Sequence, residues 1–261
     1  MLVDVHTHLT FPQFEKDLDE VIKRAKEARL VAILCSGVDH ESNVKVLELA
    51  KKYEIIKASL GVYPLDAVGL GHYDDVPRES RTLDVDEELK FIEKNKDNIL
   101  AIGEIGLDKS PKEPKLKEQE EVFWKCIRLA EKIKKPIVVH TRKAEKECIE
   151  ILESSKLKKV VLHCFTGNLK LVKKAEDLNF MLSIPAIVTR LKHFQEVIQK
   201  VSLKNILTET DAPYLSPYKG ERNEPSYIKE TIKIISQIKN VTEDEVEKII
   251  FSNYQKIFLQ K

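Results

Sequence analysis

The chain has 261 residues, of which 42% are hydrophobic and 33% charged, a length that allows one or two domains and is enough for an α/β barrel. With 44 basic against 43 acidic side chains the formal net charge is +1, which excludes a global basic field, so nucleic-acid binding would need a local patch. Cys35, Cys126, Cys148 and Cys164 show no CxxC spacing, which argues against a zinc ribbon or a disulfide framework and fits a reducing compartment.

In chain order, short apolar runs alternate with longer amphipathic ones. LVDVH at 2–6 is followed by LDEVIKRAKEA, LVAILCS at 30–36 by NVKVLELAKKY, and IIKASLG at 55–61 by an irregular stretch at 63–82 and then VDEELKFIEKN. ILAIGEI at 99–105 precedes EEVFWKCIRLAEKIKK, and PIVVH at 136–140, KVVLHC at 159–164, FMLSIPA at 180–186 and NILTETD at 205–211 complete the series. The short runs are rich in β-branched residues on both faces, as in strands buried on both sides of a parallel sheet. The long runs repeat their apolar residues at helical spacing. Two further helices, PSYIKETIKIISQIKN and TEDEVEKIIFSNYQKIFLQ, close the chain. Eight such units predict a (β/α)₈ TIM barrel of the α/β class, one domain over residues 1–261. No basic leader followed by an apolar stretch occurs, and no run approaches membrane-spanning length, so a cytoplasmic protein without membrane attachment is expected.

The strand ends carry the chemistry. In an extended strand His6 and His8 point to the same face. The fourth strand ends near Glu104, the fifth at His140, the sixth at His163 and the eighth at Asp211, and a barrel gathers all strand C-termini on one face. Four of the seven histidines fall in this set, a distribution that scattered core histidines would have no reason to adopt. Mixed imidazole and carboxylate ligands suit zinc, manganese or a related ion, whereas magnesium prefers oxygen. Six ligands exceed what one ion with an open position takes, and predict two divalent metal ions per chain (Zn, Mn or Mg) sharing a carboxylate. Glu104 is the expected bridge. His6, His8 and Asp211 would hold one ion, since the first and eighth strands adjoin in a closed barrel, and His140 and His163 the other. Two ions would lower the pKa of bound water and supply an attacking hydroxide, with Asp211 also able to take its proton. The reaction class is hydrolysis.

The segments DVHTHL, AIGEIGLD, PIVVHTR, LHCFTG, ETDAPYLSP and RNEPSYI, in that order, resemble the TatD family of metal-dependent hydrolases. The likeness runs from residue 4 to 228; HxH alone is weak, but HCFTG, ETDAPYL and RNEP together are specific. It implies a (β/α)₈ barrel, His6, His8, Glu104, His140, His163 and Asp211 at the metal-ligand positions, and a divalent-metal-dependent deoxyribonuclease, often trimming single strands from the 3′ end. DNA is thus the expected substrate ahead of RNA, with no obligate protein partner. The chain departs from the family at GVYP, where Tyr63 stands in place of a usual histidine, and after GLD, where Lys109 stands in place of an aromatic. These departures leave open an amide or ester substrate, such as a mischarged aminoacyl-tRNA, on the same metal site. A catalytically idle binding protein has no reason to retain six costly polar ligands in a barrel mouth.

Around that centre, Arg142 and Arg222 are expected to bind phosphate and Tyr63 to contact substrate by its hydroxyl. Glu209, on the same strand face as Asp211, is expected to orient a ligand or a water. Asn223 and Glu224 would order the last loop, and Cys164 would point into the helix layer. His40, His72 and His193 lack metal-like neighbours. The lysine runs at 156–159 and 170–174 are read as solvated faces, and Trp124 as core.

Overall fold

The structure, a computed structural model, describes residues 1–71 and 83–260. His72 and most of the irregular stretch at 63–82 lie outside the described residues.

Eight parallel strands follow one another in sequence order around a nearly closed barrel: β1 Leu2–Thr7, β2 Leu30–Ser36, β3 Ile56–Leu60, β4 Ala101–Gly106, β5 Ile137–His140, β6 Val160–Leu162, β7 Met181–Pro185 and β8 Ile206–Glu209. Almost every strand residue is buried, Val31 and Lys57 being the exceptions, because helices cover the outer face while side chains fill the inner one. The covering helices are α1 Leu18–Glu27, α2 His40–Lys52, a short α3 Pro64–Ala67, α4 Val85–Lys94, α5 Leu116–Ile133, α6 Glu145–Ser154, α7 Leu169–Asp177, α8 Lys192–Lys200, α9 Ile228–Lys239 and α10 Glu243–Tyr254.

The seam between β8 and β1 is closed by particular groups. Asp211 N–H donates to the His6 carbonyl (2.9 Å) and His8 N–H to the Ala212 carbonyl (2.8 Å). Buried Asp4 accepts from both the backbone N–H (3.0 Å) and the hydroxyl (2.5 Å) of Thr210. These bonds bring the end of the last strand against the first, so that residues 205 positions apart share the barrel mouth.

The run at 170–174 lies on a solvated face of α7, where Lys173 pairs with Asp177 at 2.8 Å and Lys174 with Glu153 at 2.6 Å, whereas the run at 156–159 lies in the connection between α6 and β6. Trp124 packs, half-buried, against the core. All four cysteines are free thiols. Among the described residues, no helix is long and apolar enough to cross a membrane.

Candidate metal centre

At the C-terminal end of β1, His6 and His8 turn their Nε2 atoms to within 3.1 Å of each other. Ser36, at the end of the neighbouring β2, sets this arrangement. Its carbonyl receives His8 Nδ1–H (3.2 Å) and its hydroxyl meets His6 Nδ1 (3.2 Å). A ring nitrogen held by a carbonyl must carry the proton, which leaves His8 Nε2 with a lone pair for a cation.

Glu104, wholly buried, divides its two oxygens. Oε2 lies 3.5 Å from His6 Nε2 and 3.4 Å from His8 Nε2. Oε1 lies 2.7 Å from His140 Nδ1 and 3.1 Å from His163 Nε2, and those two nitrogens are 3.4 Å apart. Asp211 Oδ1 completes the first group at 3.6 Å from His6 and 3.5 Å from His8. His6, His8 and Asp211 lie close enough together to face one cation, and Glu104 Oε2 stands beside both rings, a donor set that would suit a first-row divalent ion.

An orphaned atom points the same way. Asp211 Oδ1 is buried and accepts no hydrogen bond. An unpaired buried carboxylate oxygen is costly unless a cation meets it. Asp211 also holds a left-handed backbone (φ 56°), a strained state for a non-glycine residue that turns its carboxylate back into the mouth. His6 lies close enough to Glu104 and His163 to form another grouping, because its ring stacks on His163 at 3.9 Å. We assign its Nε2 to His8 and Asp211, since the His6–His8 approach is the tightest it makes.

The charges agree with a cation site. Burial pushes the His6 ring down to about 4, helped by the neighbouring His163. Burial would raise Glu104, but the His163, His140 and His6 rings hold it well below the usual carboxylate range. Asp211 is likewise held low against its burial by His8 and His6. Burial would lower His140, but Asp108 and Glu104 push it up to about 9.

That last shift contributes a pH response to the metal-free fold above neutrality. A histidine raised above its unfolded value near 6.5 stabilises the fold fully below that pH and loses its contribution as pH rises through about 9. His163 is raised as well, with Glu104 as its main partner against burial. Thermal unfolding in chelator should therefore show a midpoint that falls between pH 7 and 9. With divalent metal present the ion takes the proton's place and the fall should vanish. A metal-free midpoint that rises over that window would contradict the assignment.

The remaining expected residues are placed as follows. Glu209 accepts from Cys164 N–H (2.7 Å) and the Ser183 hydroxyl (2.5 Å), and its Oε2 lies 3.8 Å from His163 Nδ1, behind the ring. Burial pushes its carboxyl up to about 7. Arg142 is exposed just past β5 and close enough to act electrostatically on the Cys164 thiol. The Arg222 fork is turned to Asp17 (2.8 and 2.6 Å) instead of the donors, and its guanidinium lies 4.6 Å from the Phe14 ring centre. Tyr63 is buried, with its hydroxyl donating to Asp108 Oδ2 (2.8 Å). Lys109 pairs with Glu147 of α6 at 2.7 Å. Asn223 bonds the Thr210 and Tyr214 carbonyls, each at 2.7 Å, and Glu224 takes Arg24 in two-pronged fashion, so both order the loop. His40 is a surface ring paired with Glu88 (2.7 Å), and His193 meets the Phe165 carbonyl (3.3 Å).

Cys164 corrects the expectation. Strand β6 stops at Leu162, and Cys164 adopts φ 43°, so the alternation rule does not reach it. It is half-buried beside Glu209 and Asp211, where burial and those carboxylates push the thiol well up. Sequence reasoning also missed Ser36, Asp4 and Asp108. Of these, Asp108 carried a signal: it lies in the GLD segment just past the end of β4, where strand ends open onto the mouth.

The family model for TatD related DNase matches residues 3–259. An uncharacterized metal-dependent hydrolase of Bacillus subtilis, YabD, is 35% identical over 99% of each chain. A human protein named deoxyribonuclease TATDN3 is 34% identical over 98% of this chain and 94% of its own. The crystal structure of YjjV from Escherichia coli superposes with a TM-score of 0.87 at 24% identity, covering 100% of this chain and 98% of that one. The chain belongs to the TatD related DNase family and is a metal-dependent hydrolase.

Proposed function

We propose that residues 1–261 form one cytoplasmic catalytic domain that hydrolyses phosphodiester bonds in DNA, trimming single strands from the 3′ end with two divalent ions. The observation that carries this reading is the division of Glu104, each oxygen facing a separate set of donors. A relative named a deoxyribonuclease supports DNA as the substrate, and four free thiols support a reducing compartment. The imidazole-rich donor set favours zinc or manganese over magnesium.

When bound, the ions would supply Lewis acidity, lowering the pKa of a water nucleophile and offsetting charge on the phosphodiester. The chain's own groups do the rest. Asp211, ionised at neutral pH and with an unpaired Oδ1, holds a cation and accepts the proton of the attacking water. Ser36 holds the rings of His6 and His8 in register, and Glu209 stands as an acidic neighbour behind the His163 ring. Arg142, exposed at the rim, meets the strand's phosphates.

The test is single-stranded DNA labelled at either end, incubated with Mn²⁺, Mg²⁺ or EDTA. Shortening is expected with metal and not with EDTA, and the 3′ label should be lost first. Intact DNA alongside a protein that binds two metal equivalents would overturn the reading. Release of amino acid from aminoacyl-tRNA would then identify an ester hydrolase.

A further inference from the structure

Tyr63 follows β3 and caps the short α3, with 2% of its surface exposed. Its ring packs with Phe11, Val38 and Leu65 in a small apolar cluster and stands edge-on to His140, with centroids 5.1 Å apart. Its hydroxyl donates to Asp108 Oδ2 at 2.8 Å. The same oxygen receives His140 Nε2–H at 3.0 Å. We propose that Tyr63 is a positioning residue: through Asp108 it holds His140 with Nδ1 facing Glu104, and so sets how tightly the His140–His163 half binds its divalent cation. The proposal rests on the two-ion reading above.

The physical case is one of removed freedom. A histidine bound to a cation through one nitrogen is oriented by what the other nitrogen meets, and a buried carboxylate is the strongest such partner. Asp108 must itself be immobile to do this. Its other oxygen accepts Ser110 N–H (2.7 Å). Its main chain is clamped on both sides by Gln119 of α5, which accepts from Asp108 N–H at 2.7 Å and donates to its carbonyl at 2.9 Å. Tyr63 supplies the second donor to the very oxygen that holds His140. Without the phenol, Oδ2 keeps only the imidazole proton, and the carboxylate can swing about its remaining contact with Ser110. His140 Nδ1 would then leave the 2.7 Å approach to Glu104 Oε1 for part of the time. A hydroxyl so engaged, on a ring this deeply buried, is directed at Asp108 and not at a strand crossing the mouth. The ring's edge contact adds a steric wall against rotation of His140. Position 63 therefore acts on the metal half nearest β5, not on the His6–His8–Asp211 half.

Titration calorimetry of the metal-free full chain with Mn²⁺ tests this in native protein and in Tyr63→Phe, which deletes only the hydroxyl. Native protein should take up two equivalents. In Tyr63→Phe one equivalent should weaken by about fivefold to tenfold, somewhat less than the ~10–100-fold seen when a direct partner of a ligand is lost, while the other stays within about twofold. Turnover lost at low Mn²⁺ should return at saturating Mn²⁺, with KM for the strand unchanged. Asp108→Asn provides a second variant and should weaken the same equivalent by more. Unchanged metal affinity in Tyr63→Phe, whether or not KM rises, would overturn the proposal, a rise marking a substrate contact instead. Equal weakening of both equivalents would also overturn it, as the mark of a general packing loss. A native protein that takes up one equivalent would overturn both this proposal and the two-ion reading, whereas two equivalents without DNA cleavage would leave this one standing.

Discussion

Glu104→Ala is expected to lower metal-dependent turnover by at least about 10³-fold, roughly 4 kcal/mol of lost transition-state stabilisation. The size follows from where the carboxylate stands. It is wholly buried, and each of its oxygens faces a different pair of imidazoles at 2.7–3.5 Å. Alanine removes the carboxylate oxygen that stands 2.7 Å from His140 Nδ1 and 3.1 Å from His163 Nε2, and leaves those two rings as donors with no carboxylate between them to offset a cation. The His140–His163 equivalent should be lost outright. The His6–His8–Asp211 group keeps three donors and should bind more weakly. Glu104→Gln separates charge from shape: the amide oxygen can serve one side, and its NH₂ cannot serve the other, so it should bind a single equivalent with turnover still severely reduced. The metal-free variants also lose stability at neutral pH, because a carboxylate held below its ordinary value stabilises the fold above that value, a contribution lost as pH falls. Metal stoichiometry and turnover on end-labelled DNA check the prediction together. Two equivalents retained in Glu104→Ala, with turnover within tenfold of native, would sink it.

The barrel was legible because its signal is redundant. Each strand is a short, continuous apolar run, since both faces are covered, and each is followed by a helical period. The meeting of the six side chains was legible for a related reason: a barrel places every strand end on one face, so His6, His8, Glu104, His140, His163 and Asp211 need only end their strands to meet. Helix starts were less legible. The amphipathic run predicts α2 from Asn43, yet it begins at His40 because Asp39 and Ser42 form a reciprocal cap that carries the helix back by a turn. The partners behind the ligands were harder still. Ser36 looks like an ordinary strand end, and only its pairing beside β1 brings both of its oxygens to the two histidines. Arg222 had the chemistry for phosphate, but Asp17, 205 residues earlier, fills its fork. Cys164 escaped because a left-handed residue interrupts the alternation that reading by strand assumes. What the sequence hid, in each case, was a contact between residues far apart in the chain or a single backbone dihedral.

Gly61→Ala should be strongly destabilising, and for a reason that joins fold to site. Gly61 directly follows β3, where its missing side chain lets β4 approach. A Cβ there would stand 2.2 Å from Glu104 N and 2.4 Å from Glu104 O, both backbone atoms that no rotamer change can move. Nor can Gly61 retreat. The Asn43 side chain holds it from behind like a neighbouring strand, donating to its carbonyl at 2.8 Å and accepting its N–H at 3.1 Å. Asn43 is in turn held by buried Glu88 at 2.7 Å. The methyl must therefore either break that clamp or push the Gly103–Glu104 backbone outward, and the second course moves the Glu104 carboxylate away from both groups of donors. Overpacking against backbone of this kind costs more than about 3 kcal/mol. For a chain of this size that is a fall of roughly 6–12 °C in Tm. Gly220→Ala supplies the contrast: its φ of 83° strains an alanine, but nothing lies within 4 Å of the added carbon, so about 1 kcal/mol is expected and metal binding should not change. Calorimetric melts and metal titrations on the two variants separate backbone strain from displacement of the site. If Gly61→Ala melts within about 2 °C of native and binds metal normally, the close approach of β3 to Glu104 does not set the position of the carboxylate.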